Sequence, residues 1–236
     1  MQKSWFFGWS LQRKFDQRTA VLACLFPTVG ILILNGLWTK SVFEHSAVAY
    51  WALDAVSHFI IPLVALYLLA KFYRISPRDY GFTRLERTLG LLDLAGLTLL
   101  VGAMFWISYI PVSATLGRLL GSELSSFTYF NVLPETSGAR VLVAVYFAIS
   151  AGVFEEIMYR SLPWVYFSML NPRRPHIISY ALISSVLFGF AHWENGLHEV
   201  FATFALGFVA CVLYVKIRNI WPFVIAHSWI DLTAFW

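Results

Sequence analysis

The chain is short of charge. Asp, Glu, Lys and Arg together supply 13% of its 236 residues while hydrophobic residues supply 59%, against roughly 25% charged and 45–50% apolar in soluble domains. A water-soluble globule is thereby excluded. Cysteine is scarce as well: Cys24 and Cys211 lie on separate apolar runs, which excludes a disulfide framework and leaves two packing residues with no redox message. No internal repeat of fixed period and no low-complexity tract occurs, so solenoids and disordered tails drop out. The small positive excess of +4 sits in the connections between apolar runs, where it sets topology; the expected partner is the lipid bilayer, and no nucleic acid is expected.

What the chain does have is a series of apolar runs, near residues 20–38, 47–70, 88–110, 141–162, 177–193, 199–215 and 219–236. A membrane-spanning helix needs about 20 such residues. The pattern predicts an all-α fold, a polytopic transmembrane bundle of about seven transmembrane helices forming one membrane domain over residues 1–236. The first run is too long for a signal-peptide core and lacks a small-residue cleavage site after it, so it is expected to remain as an anchor. Residues 1–18 mix aromatic and basic side chains, which suits a segment lying in the cytoplasmic interface and equally a frayed tail. Aromatics at 18%, ten of them Trp, suit the two interfacial belts of a membrane protein. The stretch 111–140, with Pro111 and Pro134, is predicted to be the longest connection, its apolar middle Phe127–Val132 dipping into the interface.

Lys and Arg gather in cytoplasmic loops. Here they alternate along the chain: Lys3, Arg13, Lys14 and Arg18 precede the first run; Lys71, Arg74, Arg78, Arg84 and Arg87 follow the second; Arg173 and Arg174 follow the fourth; Lys216 and Arg218 follow the sixth. The predicted protein is multi-pass in the cell membrane, with a cytoplasmic amino terminus and an outer carboxyl terminus.

Some charge lies inside the apolar runs, where a carboxylate or guanidinium costs roughly 2.5–3.5 kcal/mol even on lenient insertion scales and therefore faces protein or a wet cavity. Residues four apart share a helical face, so in Glu155-Glu156-x-x-x-Arg160 the arginine can pair with Glu156 and leaves Glu155 free. Phe188-x-x-x-His192 and His227-x-x-x-Asp231 repeat the helical spacing on later runs. Asp54 and His58 repeat it on the second run and are expected to be packing residues. Glu194, His198 and Glu199 are expected at an outer helix end, where solvation accounts for them, and His45 and His176 in loops.

These three motifs, in this order and on separate apolar runs, resemble those of the type II CAAX prenyl protease and bacteriocin-processing (CPBP) family of intramembrane glutamic endopeptidases. The resemblance covers residues 141–236, and Ser76-Pro-Arg-Asp-Tyr-Gly-Phe82 is similar to a short cytoplasmic segment of that family. It implies a membrane endopeptidase acting on a peptide or lipidated protein, near its carboxyl terminus or the membrane boundary. It implies Glu155, His192, His227 and Asp231 as catalytic positions, supported by Glu156, Arg160 and Phe188. In the family the third-motif histidine is usually paired with Asn, where this chain has Asp231.

The chemistry is coherent without the family. Peptide hydrolysis needs an activated water, which Glu155 can deprotonate and His192 can share, and a donor for the developing oxyanion, which His227 can supply. An ionised Asp cannot donate. Asp231 either carries a proton or orients and charges His227, and the four-residue spacing favours the second. No cofactor is expected. Zinc is the alternative, since Glu, His and Asp are also zinc ligands, although no His-Glu-x-x-His occurs. Outside the proteases, an immunity-type membrane binding protein and a proton-coupled transporter use similar residues. Rise counting leaves a geometric conflict. With helices over 141–162 and 177–193, Glu155 and His192 fall toward opposite faces, unless the earlier helix continues past Pro163 or the later one starts deeper.

Overall fold

The computed structural model describes residues 16–83, 90–120, 129–170 and 176–236. The expectations for residues 1–15, Arg84, Arg87, Phe127, Thr128, Arg173 and Arg174 lie outside the described residues. Among those described, the chain is helical throughout. Helix α1 spans Gln17–Leu34, α2 spans Thr39–His45, α3 spans Ala47–Tyr73, α4 spans Leu91–Leu120 and α5 spans Ser137–Leu170. Helix α6 spans Ile177–Phe190, α7 spans Leu197–Ile217 and α8 spans Trp221–Phe235. The apolar stretches Gln17–Leu37, Ala47–Tyr73, Leu91–Leu120, Ser137–Leu170 and Leu197–Ile217 are long enough to cross a bilayer. Helices α6 and α8, at 14 and 15 residues, are shorter apolar members of the same bundle. The protein is a multi-pass all-α membrane bundle.

Local chemistry sets the helix ends. Asp16 caps α1 by accepting from the Thr19 amide at 2.9 Å and pairs with Arg18 at 2.7 Å. That amide and then the guanidinium favour the ionised carboxyl, which is lowered to about 2. Helix α3 ends at Arg74 and α7 at Arg218, both left-handed, and Gly196 with φ 104° opens α7. Two prolines do not act as the sequence suggested. Pro111 was expected to begin a long connection, yet α4 continues through it to Leu120, and α5 continues through Pro163 to Leu170. A proline inside a helix removes one backbone hydrogen bond, which a membrane helix surrounded by apolar side chains tolerates.

Helix α5 is the axis of the bundle. Half of its apolar window is buried, against 11% for α4. Helix α6 packs on α7, α4 on α7 and α8, and α8 on α5. Leu91, Leu92, Leu99, Leu142 and Ile178 point outward and are well exposed, as side chains that meet lipid.

The two ends of the bundle differ. At one end the Gln17 amide donates to the Tyr73 carbonyl at 2.7 Å, and residues 76–83 are strapped across the helix ends. Ser161 and Tyr214 hydroxyls donate to the Tyr80 carbonyl at 2.7 and 3.2 Å, the Ile220 amide donates to the Gly81 carbonyl at 3.0 Å, and Asn219 donates to the Thr83 carbonyl at 3.0 Å. Gly81 has φ 83°, and a Cβ there would meet the Tyr214 hydroxyl at 2.8 Å. This end collects Arg18, Lys71, Arg74, Arg78, Lys216 and Arg218. At the other end the Trp193 indole donates to the Ile33 carbonyl at 2.7 Å.

Candidate active site

The acidic stretch lies where α5 departs from α-helical geometry. Ser150–Glu155 and Ile157–Ser161 are π-helical turns, in which hydrogen bonds span five residues and the ladder is interrupted. Neighbouring helices use the released carbonyls. Tyr180 donates its hydroxyl to the Arg160 carbonyl at 3.0 Å, Ser184 donates to the Tyr159 carbonyl, and the Cys211 thiol approaches the same oxygen at 3.8 Å. Helices α6 and α7 are thus drawn onto α5 at the carboxylates.

Glu156 is fully buried. One of its oxygens lies 3.3 Å from Arg160 Nε, and the other lies 2.7 Å from Nδ1 of His227 on α8. The Arg160 guanidinium sits 4.0 Å over the Phe188 ring, a cation–π arrangement that balances a buried charge. The Phe188 ring is also 5.1 Å from Tyr159, 4.8 Å from His192 and 6.5 Å from His227. One phenylalanine therefore sits where all three motifs converge. His192 donates from Nδ1 to the Phe188 carbonyl at 2.9 Å, which leaves Nε2 as the acceptor of a neutral ring. The spacing had suggested a hydrogen bond from His227 to Asp231, but Nε2 and the carboxylate are 3.8 Å apart, beyond hydrogen-bond range. Glu156, reached across the helix interface, holds His227 instead.

Glu155 points away from the Glu156–Arg160 pair. Its Oε2 is buried and has no hydrogen-bond partner among the described residues. Its charge acts on His58, Tyr159, His227 and Asp231, which places it among α3, α5 and α8. Helix α5 extends past Pro163, one of the two arrangements that rise counting allowed, and Glu155 lies about halfway along it.

Residues 137–233 match the family model of the type II CAAX prenyl endopeptidase Rce1-like proteins. This segment is Rce1-like. It begins with α5 and ends within α8, so the Rce1-like segment holds all three motifs and every contact around Phe188. No curated protein and no solved structure matches the chain.

Further polar residues outside the three motifs lie before the Rce1-like segment and within it. His58 is held at both ring nitrogens: Nδ1 is 3.2 Å from Asp54 Oδ1, and Nε2 is 3.3 Å from the Asn35 amide. Tyr146 donates to the other Asp54 oxygen at 2.6 Å. A repeat of the Asp/His spacing seen in His227 and Asp231 was the available signal, but its partner Tyr146 is 92 residues away. Solvation does not account for Glu194 and Glu199. Glu194 is 3.5 Å from the Thr39 hydroxyl. Glu199 accepts from Tyr109 at 2.6 Å and Ser113 at 2.8 Å, with His198 at 3.4 Å. Among the described residues, no three His, Cys, Asp or Glu side chains stand together as a metal site.

Proposed function

We propose that the protein is an intramembrane endopeptidase of the glutamic type, in which Glu155 is the general base. The observation that carries this reading is the division of labour between adjacent carboxylates: Glu156 is committed to ion pairs with Arg160 and His227, while Glu155 forms no ion pair among the described residues and keeps a buried oxygen without a hydrogen bond. Glu155 takes a proton from a water shared with His192. The resulting hydroxide adds to the scissile carbonyl carbon, and His227, held at Nδ1 by Glu156 and protonated at Nε2, donates to the oxyanion. As the C–N bond breaks, the proton on Glu155 passes to the leaving amine. One water is consumed and Glu155 is ionised again. No cofactor takes part.

The substrate is a peptide or lipidated protein cleaved near its carboxyl terminus or the membrane boundary, and the family match favours a prenylated one. The basic end of the bundle faces the cytoplasm in the cell membrane, with the amino terminus inside and the carboxyl terminus outside.

The test is turnover of an S-farnesylated fluorogenic peptide by purified protein, beside its unprenylated counterpart and with and without chelator. Glu155→Gln is expected to lower kcat about 10²–10⁴-fold without loss of folded protein, and chelator is expected to leave the wild-type rate unchanged. A variant keeping more than about a tenth of the activity removes Glu155 as base. Activity lost to chelator and restored by zinc replaces the glutamic mechanism with a metal one.

A further inference from the structure

The Rce1-like match leaves out α3, the helix that faces Glu155 across the core. Helix α3 has its own π turn at Val56–Ile60, packed against the π turn Ser150–Glu155 of α5. Phe59 meets Phe154 edge to face there, with ring centroids 4.8 Å apart. His58 precedes one of these rings and Glu155 follows the other, so both residues lie at the junction of the two turns, near enough for the Glu155 charge to act on His58.

The junction is fastened at a second point. Asp54, one turn earlier on α3, accepts from Tyr146 at 2.6 Å, and Tyr146 lies on α5, the helix that carries Glu155. The Asp54 side chain is 2% exposed and its remaining oxygen faces His58 Nδ1 at 3.2 Å. Ser57 adds a contact to the same nitrogen at 3.1 Å. The imidazole balances a carboxylate that is almost wholly buried.

We infer that Asp54 and His58 are a positioning pair for Glu155: clamped to α5 by Tyr146 and by Phe59 on Phe154, the pair sets an imidazole against the turn that carries Glu155 and fixes how that carboxylate is presented to the water. The inference rests on the reading of Glu155 as general base. The unmatched half of the chain then contributes to catalysis rather than serving only as an anchor.

The experiment uses full-length protein and the farnesylated fluorogenic peptide. Partners that orient an active group are typically worth 10–100-fold, so His58→Ala is expected to lower kcat by at least about tenfold with KM within about twofold. Added imidazole is expected to recover a measurable part of that loss. A small pocket of about 10 Å³ lined by Asn35, Asp54, Ser57 and Tyr50 lies beside this pair, and loss of the His58 ring opens further space there. In a Glu155→Gln background, His58→Ala is expected to have no further effect on the residual rate, because the pair acts through Glu155. If His58→Ala does not fold, Tyr146→Phe, which removes only the hydroxyl that fastens Asp54, is expected to lower kcat several-fold in folded protein. Wild-type kcat in folded His58→Ala, or a loss that imidazole does not touch and that tracks thermal stability, overturns the positioning role. If Glu155→Gln itself retains activity, the reading of the base has failed, which is a separate result.

Discussion

At Glu156 one side chain meets two demands. It neutralises Arg160, which is fully buried, and it holds His227 by Nδ1 at 2.7 Å. Removing its charge leaves a buried guanidinium uncompensated, at about 3–5 kcal/mol. Glu156→Gln is therefore expected to lower thermal stability in detergent and to reduce turnover together. Asp231 stands 3.8 Å from His227 with 17% of its side chain exposed, so Asp231→Asn is expected to leave the melting temperature near wild type and to reduce turnover less. Thermal melts and kcat for the two variants, measured side by side, check this ranking; an Asp231→Asn as damaged as Glu156→Gln would overturn it. The pairing of Glu156 with Arg160 was legible in the sequence because it lies within one helical turn. The contact from Glu156 to His227 was not, since 71 residues separate them and no spacing rule reaches across helices. The contact from Tyr146 to Asp54, 92 residues apart, was hidden for the same reason.

Among the elements, the crossing of α5 and α8 decides whether the first and third motifs meet. It is closest at Gly152, where an added Cβ would lie 2.9 Å from the Ser228 backbone nitrogen. Ser228 is itself tied to the Ala148 carbonyl at 2.7 Å, so neither backbone can yield cheaply. Replacing Gly by Ala favours a helix by about 1 kcal/mol, whereas overpacking a close contact costs about 1–3 kcal/mol, and here the steric term wins. Gly152→Ala is expected to lower the melting temperature and to lower turnover by pushing His227 away from Glu156. Gly30→Ala, with nothing within 4 Å, is the control and is expected to be neutral or stabilising. A Gly152→Ala protein as stable and active as wild type refutes the tight crossing. The apolar runs gave the helices and most of their boundaries directly. Hydrophobicity could not reveal the π turns, because the same side chains suit an α-helix and only the neighbours that take up the released carbonyls make the wider turn favourable. Nor could it place the ends of α4 and α5, where proline was tolerated by context.

For the whole molecule, the alternation of basic connections in the sequence reappears as one basic end, tied together by hydrogen bonds from Gln17, Ser161, Tyr214, Asn219 and Ile220. If that end is cytoplasmic, a single cysteine introduced at Lys216 into a protein lacking Cys24 and Cys211 is expected to react with an impermeant maleimide only after cells are permeabilised. One at Asn195 is expected to react in intact cells. The reverse pattern inverts the topology. The strap at residues 76–83 also sets an order of events during synthesis. Tyr80 and its partner Tyr214 are 134 residues apart, so at about 5–20 residues per second the ribosome needs roughly 7–27 s to deliver the second after the first. Until Ser161 reaches the Tyr80 carbonyl and Ile220 the Gly81 carbonyl, solvent at the bundle's polar end can satisfy them. The first connection at the basic end to emerge from the ribosome is thus among the last pieces of the molecule to reach its final place.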